Sequence, residues 1–158
     1  MKVKALLLII GGVMIFPLST RAAITGVGAG AITENAISKA MKQAEQCEYD
    51  VDLLANVVQA EAGSESDLCK VLVADVVINR MNDSDFPDSI YGVVSQKYQF
   101  SCFWDGGLSR HPATEHTKAL VKAELESVQY PGVIYFRENY FEYGTPWKQV
   151  DSLYFSTK

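Results

Sequence analysis

Between Leu53 and Arg80 the chain reads LLANVVQAEAGSESDLCKVLVADVVINR, two apolar helical patterns separated by one glycine. No other stretch limits the fold as strongly, because helices this apolar must bury against each other and against much of the remaining chain. On a 3.6-residue period Leu54, Val57, Val58 and Glu61 share one face, so a carboxyl group stands at the C-terminal end of a stripe that faces the interior. Burial there disfavours the charged form and makes Glu61 a proton donor near neutral pH. The competing reading is a glutamate at a frayed helix end whose head reaches water, and position alone leaves both open.

The first pattern predicts a helix from Tyr49 to Ala62, capped by Asp50 or Asp52 and ended by Gly63. A separate, weakly apolar helix is expected from Thr33 to Gln46, packed on the surface. Ser64, Glu65, Ser66 and Asp67 form a helix-start signal, and Leu68 to Met81 follows with apolar residues on nearly every side, as expected of a central helix. Asp75 and Asn79 lie on one face of it and need partners; for Asp75 the expected role is in a satisfied core network.

Past a loop at Asn82 to Asp85, Pro87 begins a short helical piece through Val94. Gln96 to Trp104, QKYQFSCFW, interleaves aromatic rings with amide and hydroxyl groups, the composition of a sugar-facing wall, although Phe100 and Phe103 also suit a core. Asp105, Gly106 and Gly107 read as a turn, and a further helix is expected from about Ala113 to Ser127. VIYF (Val133 to Phe136) and LYFS (Leu153 to Ser156) read as two antiparallel strands closed by a long polar, aromatic loop.

With 158 residues, 48% hydrophobic and 21% charged, the chain can bury a real core, and a net charge of -5 with pI near 5.0 gives no basic footprint for nucleic acid. Residues 1–23 carry Lys2 and Lys4, an apolar run and small residues before Ala23, which is a signal-peptide pattern, with an uncleaved N-terminal anchor as the alternative. Either reading exports the domain to the cell envelope or beyond. Residues 24–48 are expected to be a linker and peripheral helix, and 49–158 the functional domain. Cys47, Cys69 and Cys102 allow at most one internal disulfide, and His111 and His116 lack ligand spacing, so no metal or organic cofactor and no membrane-spanning partner is indicated.

The ordered series AEAGSESDLCKVLVADVVINRMNDSDFPDSIYGVVSQKYQFS, with Tyr143, Gly144, Thr145, Pro146, Trp147 and then Tyr154, Phe155, Ser156, resembles the SleB/CwlJ cell-wall hydrolases, the catalytic domain of the spore cortex-lytic type. The resemblance implies a mainly helical α+β fold related to lysozymes and lytic transglycosylases, with a small antiparallel sheet. It also implies peptidoglycan glycan strands as the substrate, cut between muramic acid and glucosamine units, and Glu61 as the catalytic glutamate. Gly63, Ser64, Lys70 and Ser152 or Leu153 depart from the family's common arginine, glycine, glutamine and histidine at those places.

A glycosidase needs an acid held protonated beside the leaving oxygen, and ordinarily a second carboxylate. Glu65 is the nearest in sequence, but it lies across the Gly63 break, which favours a lytic transglycosylase, where one carboxyl serves as acid and then base. Asn79, Gln99 and Ser101 are expected to orient sugar hydroxyls, with Tyr98, Tyr143 or Trp147 as stacking platforms. Rival readings are an amidase between muramic acid and peptide, which ordinarily recruits zinc, and a peptidoglycan-binding module without turnover.

Overall fold

The computed structural model describes residues 34–158; the expected export segment and residues 24–33 of the expected linker lie outside the described residues. Contacts divide the chain into two units, Met1–Lys39 and Ala40–Lys158, and the fold is that of the second. Of the first, residues 34–39 are described, as helix.

Helix α1 runs unbroken over Glu34–Ala62, where two helices were expected. The sequence contains no glycine or proline between those bounds, and the aspartates expected to cap a second helix serve inside the first. Asp50 accepts from Gln46 Nε2 one turn earlier at 2.9 Å, and Asp52 pairs with Lys118 at 2.7 Å. The helix is exposed through Tyr49 and buried from Val51 onward, with Leu54, Ala55, Val57 and Val58 fully covered. Full burial of Leu54 or Val57 stabilises by about 1.5–3 kcal/mol each.

Helix α2 (Asp67–Met81) is the central element that its all-round apolarity predicts, buried at ten of its fifteen residues. Ser66 caps it by accepting from the Cys69 N–H, while its own hydroxyl donates to Asp151. Around α2 pack α3 (Ile90–Val94), capped by Ser89, and α6 (Glu115–Glu126), capped by Thr114. Two four-residue helices, α4 (Ser101–Trp104) and α5 (Gly107–Arg110), fill the interval between them in sequence.

Strands β1 (Val133–Glu138), β2 (Thr145–Val150) and β3 (Leu153–Thr157) form one antiparallel sheet in the order β1-β3-β2. The expected pairing of β1 with β3 is present, with Phe136 opposite Phe155. The long loop, however, contains β2, which folds back on β3 through a tight turn at Asp151, φ 51°. β2 is an edge strand that carries Pro146 and is exposed at every residue except Val150, so it shows neither the alternation nor the apolar run by which strands are read.

The C-terminal end of α2 binds the sheet through its two polar residues. Asn79 Nδ2 donates to the carbonyls of Tyr130 at 2.9 Å and Val133 at 2.8 Å, and Arg80 Nε donates to that of Ile134 at 2.7 Å. The buried guanidinium lies over the rings of Phe86, Phe100 and Tyr135 and donates from Nη1 to Gln99 Oε1 at 3.0 Å. Burial holds this arginine down at about 10. Asp75 is buried as expected but only partly satisfied: Oδ2 accepts from the Tyr130 N–H at 2.9 Å and the carboxyl lies beside the buried Glu124, while Oδ1 has no hydrogen-bond partner.

Candidate active site

Glu61 stands one residue before the end of α1, half-buried at the end of the stripe formed by Leu54, Val57 and Val58. Burial raises its pKa above the ordinary carboxyl value. Two groups from the α4 region modify that rise. The Cys102 thiol lowers it, and the charge of Asp105 raises it further. The same burial and the same two carboxylates push the Cys102 thiol up to about 12, so it stays protonated and acts as donor.

The turn that presents Cys102 and Asp105 is closely packed. Gly106 takes φ +81°, the left-handed conformation that glycine tolerates without penalty, and Asp105 Oδ1 accepts from the Gly107 N–H at 2.8 Å. A side-chain carbon at Gly107 would lie 2.8 Å from both Cα and Cβ of Cys102 and 3.0 Å from Asp105 Oδ1, so the bare glycine lets all three crowd together. Arg110 completes the arrangement, with Nη1 on the Asp105 carbonyl at 2.6 Å and Nη2 on Oδ1 at 3.1 Å.

The other expected site residues divide into two groups. Gln99 and Ser101 stand in the segment that leads into Cys102, Ser101 exposed at the first position of α4. Tyr98 is 86% exposed at φ 69°, with Lys97 Nζ 5.0 Å from its ring centroid. Tyr143 packs on Tyr135 at 6.0 Å and Trp147 on Tyr130 at 5.7 Å, which are contacts of the sheet. Asn79 has both amide N–H groups occupied by backbone carbonyls; the sugar-orienting role expected of it gives way to that of a clamp between α2 and β1.

Glu65 is likewise corrected. Its carboxylate accepts from Ser152 Oγ at 2.8 Å and its field acts on Cys69, so it is turned toward the β2 to β3 turn. The carboxylate that acts on Glu61 is Asp105, which reads as a turn residue in the sequence because Asp-Gly-Gly is a turn signal. The aromatic stretch expected to form a wall gains Tyr91, which the sequence did not single out: Trp104, 62% exposed, meets Phe103 edge-on at 5.2 Å, and Phe103 meets Tyr91 at 5.7 Å. The signal for the wall was the density of rings in QKYQFSCFW.

Among the described residues no three His, Cys, Asp or Glu side chains are grouped to hold a metal ion. His116 sits on Asp67 at 2.9 Å, and His111 is exposed at the end of α5. No described helix is long and apolar enough to cross a membrane.

A family model described as Cell Wall Hydrolase matches residues 64–156, more than half of the chain. The chain belongs to the cell wall hydrolase family. The match begins three residues after Glu61. Spore cortex-lytic enzymes are similar over 74 residues, or 47% of the chain: that of Oceanobacillus iheyensis at 35% identity and that of Bacillus cereus at 34%. The matched segment spans 27% and 29% of those relatives, so the chain shares one part of longer proteins.

Among solved structures, the catalytic domain of the Bacillus cereus SleB protein superposes with a TM-score of 0.61 at 24% identity, covering 70% of this chain and 91% of that one. The catalytic domain of the germination-specific lytic transglycosylase SleB from Bacillus anthracis gives 0.59 at 23%, covering 68% and 93%. This cell wall hydrolase domain therefore has the SleB catalytic fold, mainly helical with a small antiparallel sheet, as the sequence resemblance implied.

Proposed function

We propose that this cell wall hydrolase domain cleaves the glycan strand of peptidoglycan between N-acetylmuramic acid and N-acetylglucosamine, with Glu61 as general acid and then general base. The observation that carries the reading is the setting of Glu61: a half-buried carboxyl at the end of an apolar stripe, its pKa raised by burial. In its acid form, which burial favours, Glu61 gives its proton to the glycosidic oxygen as the bond to the muramyl anomeric carbon breaks. The muramyl C6 hydroxyl then attacks that carbon and returns its proton to the Glu61 carboxylate, which closes a 1,6-anhydro ring and restores the acid.

Gln99 and Ser101, placed just before Cys102, are assigned to the sugar hydroxyls, and the Tyr91, Phe103 and Trp104 row, with Tyr98, to stacking on sugar faces. The N-terminal sequence fits an exported protein that meets this substrate in the cell envelope.

Hydrolysis, with water in place of the C6 hydroxyl, is the second reading, and the presence of Asp105 near Glu61 favours it, because an inverting or retaining hydrolase uses two carboxylates. Digesting purified peptidoglycan with the protein and weighing the fragments by mass spectrometry decides between them. Fragments ending in anhydro-muramic acid are expected; reducing ends 18 Da heavier, by roughly the mass of one water taken up in hydrolysis, support the second reading; and release of free peptide without glycan cleavage contradicts both.

A further inference from the structure

Resting on the assignment of Glu61 as the acid, we propose that Asp151 is a positioning residue for the reaction: from the turn between β2 and β3 its carboxylate holds the loop that follows Glu61, and so fixes the last turn of α1. Asp151 stands at φ 51°, a left-handed conformation that glycine adopts freely and aspartate tolerates at some cost. Its carboxylate has a definite task there. Oδ2 accepts from the Ser66 N–H at 2.9 Å and from the Ser66 hydroxyl at 2.5 Å, across 85 positions of sequence. The residues on either side make the same connection: Ser152 Oγ donates to Glu65 Oε1 at 2.8 Å, and Cys69 Sγ donates to the Val150 carbonyl at 3.8 Å. Val150, Asp151 and Ser152 thus engage Cys69, Ser66 and Glu65.

The loop so held is the direct continuation of the helix that carries the glutamate. Glu61 is the penultimate residue of α1, and a helix end frays unless something outside the helix holds it. The Glu65 N–H donates to the Ala62 carbonyl at 3.0 Å, which closes the turn over Gly63 and passes the restraint to the residue next to Glu61. Gly63 makes that turn tight, because a side-chain carbon there would collide with the Gln59 carbonyl and side-chain amide. Gln59 is itself tied to α6, where its Oε1 accepts from Thr117 Oγ1 at 2.6 Å. In sequence, Glu61 therefore lies between two ties: Gln59 to α6 before it, and Glu65 with Ser66 to the turn of the sheet after it. Asp151 makes the shortest hydrogen bond of the second.

The test compares the full chain with Asp151→Gly, which keeps the left-handed turn and removes the carboxylate, and with Asp151→Asn, which keeps an oxygen for Ser66. Turnover of solubilised peptidoglycan gives kcat and KM for each protein, all shown by circular dichroism to be folded. Amide hydrogen exchange followed by NMR reads the loop and the end of α1 directly. In Asp151→Gly the amides of residues 61–66 should exchange about 10-fold faster, as local opening becomes easier. Its kcat should fall by roughly 10-fold with KM kept within about twofold, the pattern of a displaced acid rather than of lost substrate contacts. Asp151→Asn should recover most of both losses.

Unchanged exchange in Asp151→Gly overturns the proposal, as does an unchanged kcat beside faster exchange. A rise in KM at constant kcat overturns it too, and assigns Asp151 to substrate binding. Full activity of Glu61→Gln overturns the assignment of the acid and this proposal with it, whereas an inactive Glu61→Gln beside a fully active Asp151→Gly overturns this proposal alone.

Discussion

The thiol of Cys102 acts on the carboxyl of Glu61, linking the four-residue helix α4 to the end of α1 across more than forty positions of sequence. This contact lowers the pKa that burial raises, so removing it has a definite sign. In Cys102→Ala the carboxylate loses a donor, Glu61 holds its proton to higher pH, and the alkaline limb of the pH profile moves up. Cys102→Ser, which keeps a donor, should leave the limb near its wild-type place. A limb unmoved in Cys102→Ala would show that the thiol only fills space.

Asn79 offers a test of stability against recognition. Both its N–H groups satisfy carbonyls of the segment that starts β1, and Asn79→Ala removes a donor from each of those half-buried carbonyls. Urea unfolding should show a loss of about 1–3 kcal/mol, with the Glu61 titration and the apparent affinity for glycan unchanged in the fraction that is folded. Unchanged stability with weakened glycan binding would return Asn79 to the sugar-contacting role that the sequence suggests.

Asp75 makes stability depend on pH. Burial pushes it up to about 8 from 3.8, Glu124 adds to the rise, and the Tyr130 N–H opposes it. The folded protein therefore holds a proton that the unfolded chain releases at ordinary carboxyl pKa. This contribution is fully present below the unfolded value of 3.8 and is lost progressively as pH rises to about 8. Asp75→Asn keeps an acceptor for Tyr130 and a donor for Glu124 without the proton, so unfolding free energies measured from pH 4 to 9 should fall less steeply. At the alkaline end the variant should exceed wild type by about 1–2 kcal/mol. Parallel slopes for the two proteins would contradict a proton held on buried Asp75.

What the sequence made legible was whatever depends on local periodicity or on a terminus signal. α2 could be read because Leu68 to Met81 is apolar all round and Ser66 lies just before it, and β1 and β3 because VIYF and LYFS are dense in β-formers. The break expected near Cys47 failed for a physical reason: Asp50 and Asp52 suit a cap, but a continuing helix with side-chain partners at Gln46 and Lys118 serves them equally. β2 escaped because its stability comes from pairing with β3, not from burying a face.

At the site, Glu61 stood out because an acid interrupted an apolar stripe. Asp105 did not, because Asp-Gly-Gly reads as a turn, and its place beside Cys102 is created only when α4 and α5 fold around Gly107. Glu65 is the nearest carboxylate in sequence, but beyond the Gly63 break its side chain meets Ser152.

Replacing Glu61 tests most directly whether it is the proton donor that breaks the glycan strand. Wild type and Glu61→Gln, shown by circular dichroism to be equally folded, are incubated with purified peptidoglycan, and soluble fragments are quantified by mass spectrometry. Glutamine keeps the size of the side chain and cannot supply the proton, so fragment release should fall by at least about 100-fold while binding to the insoluble wall persists. Equal release by the two proteins would contradict the account.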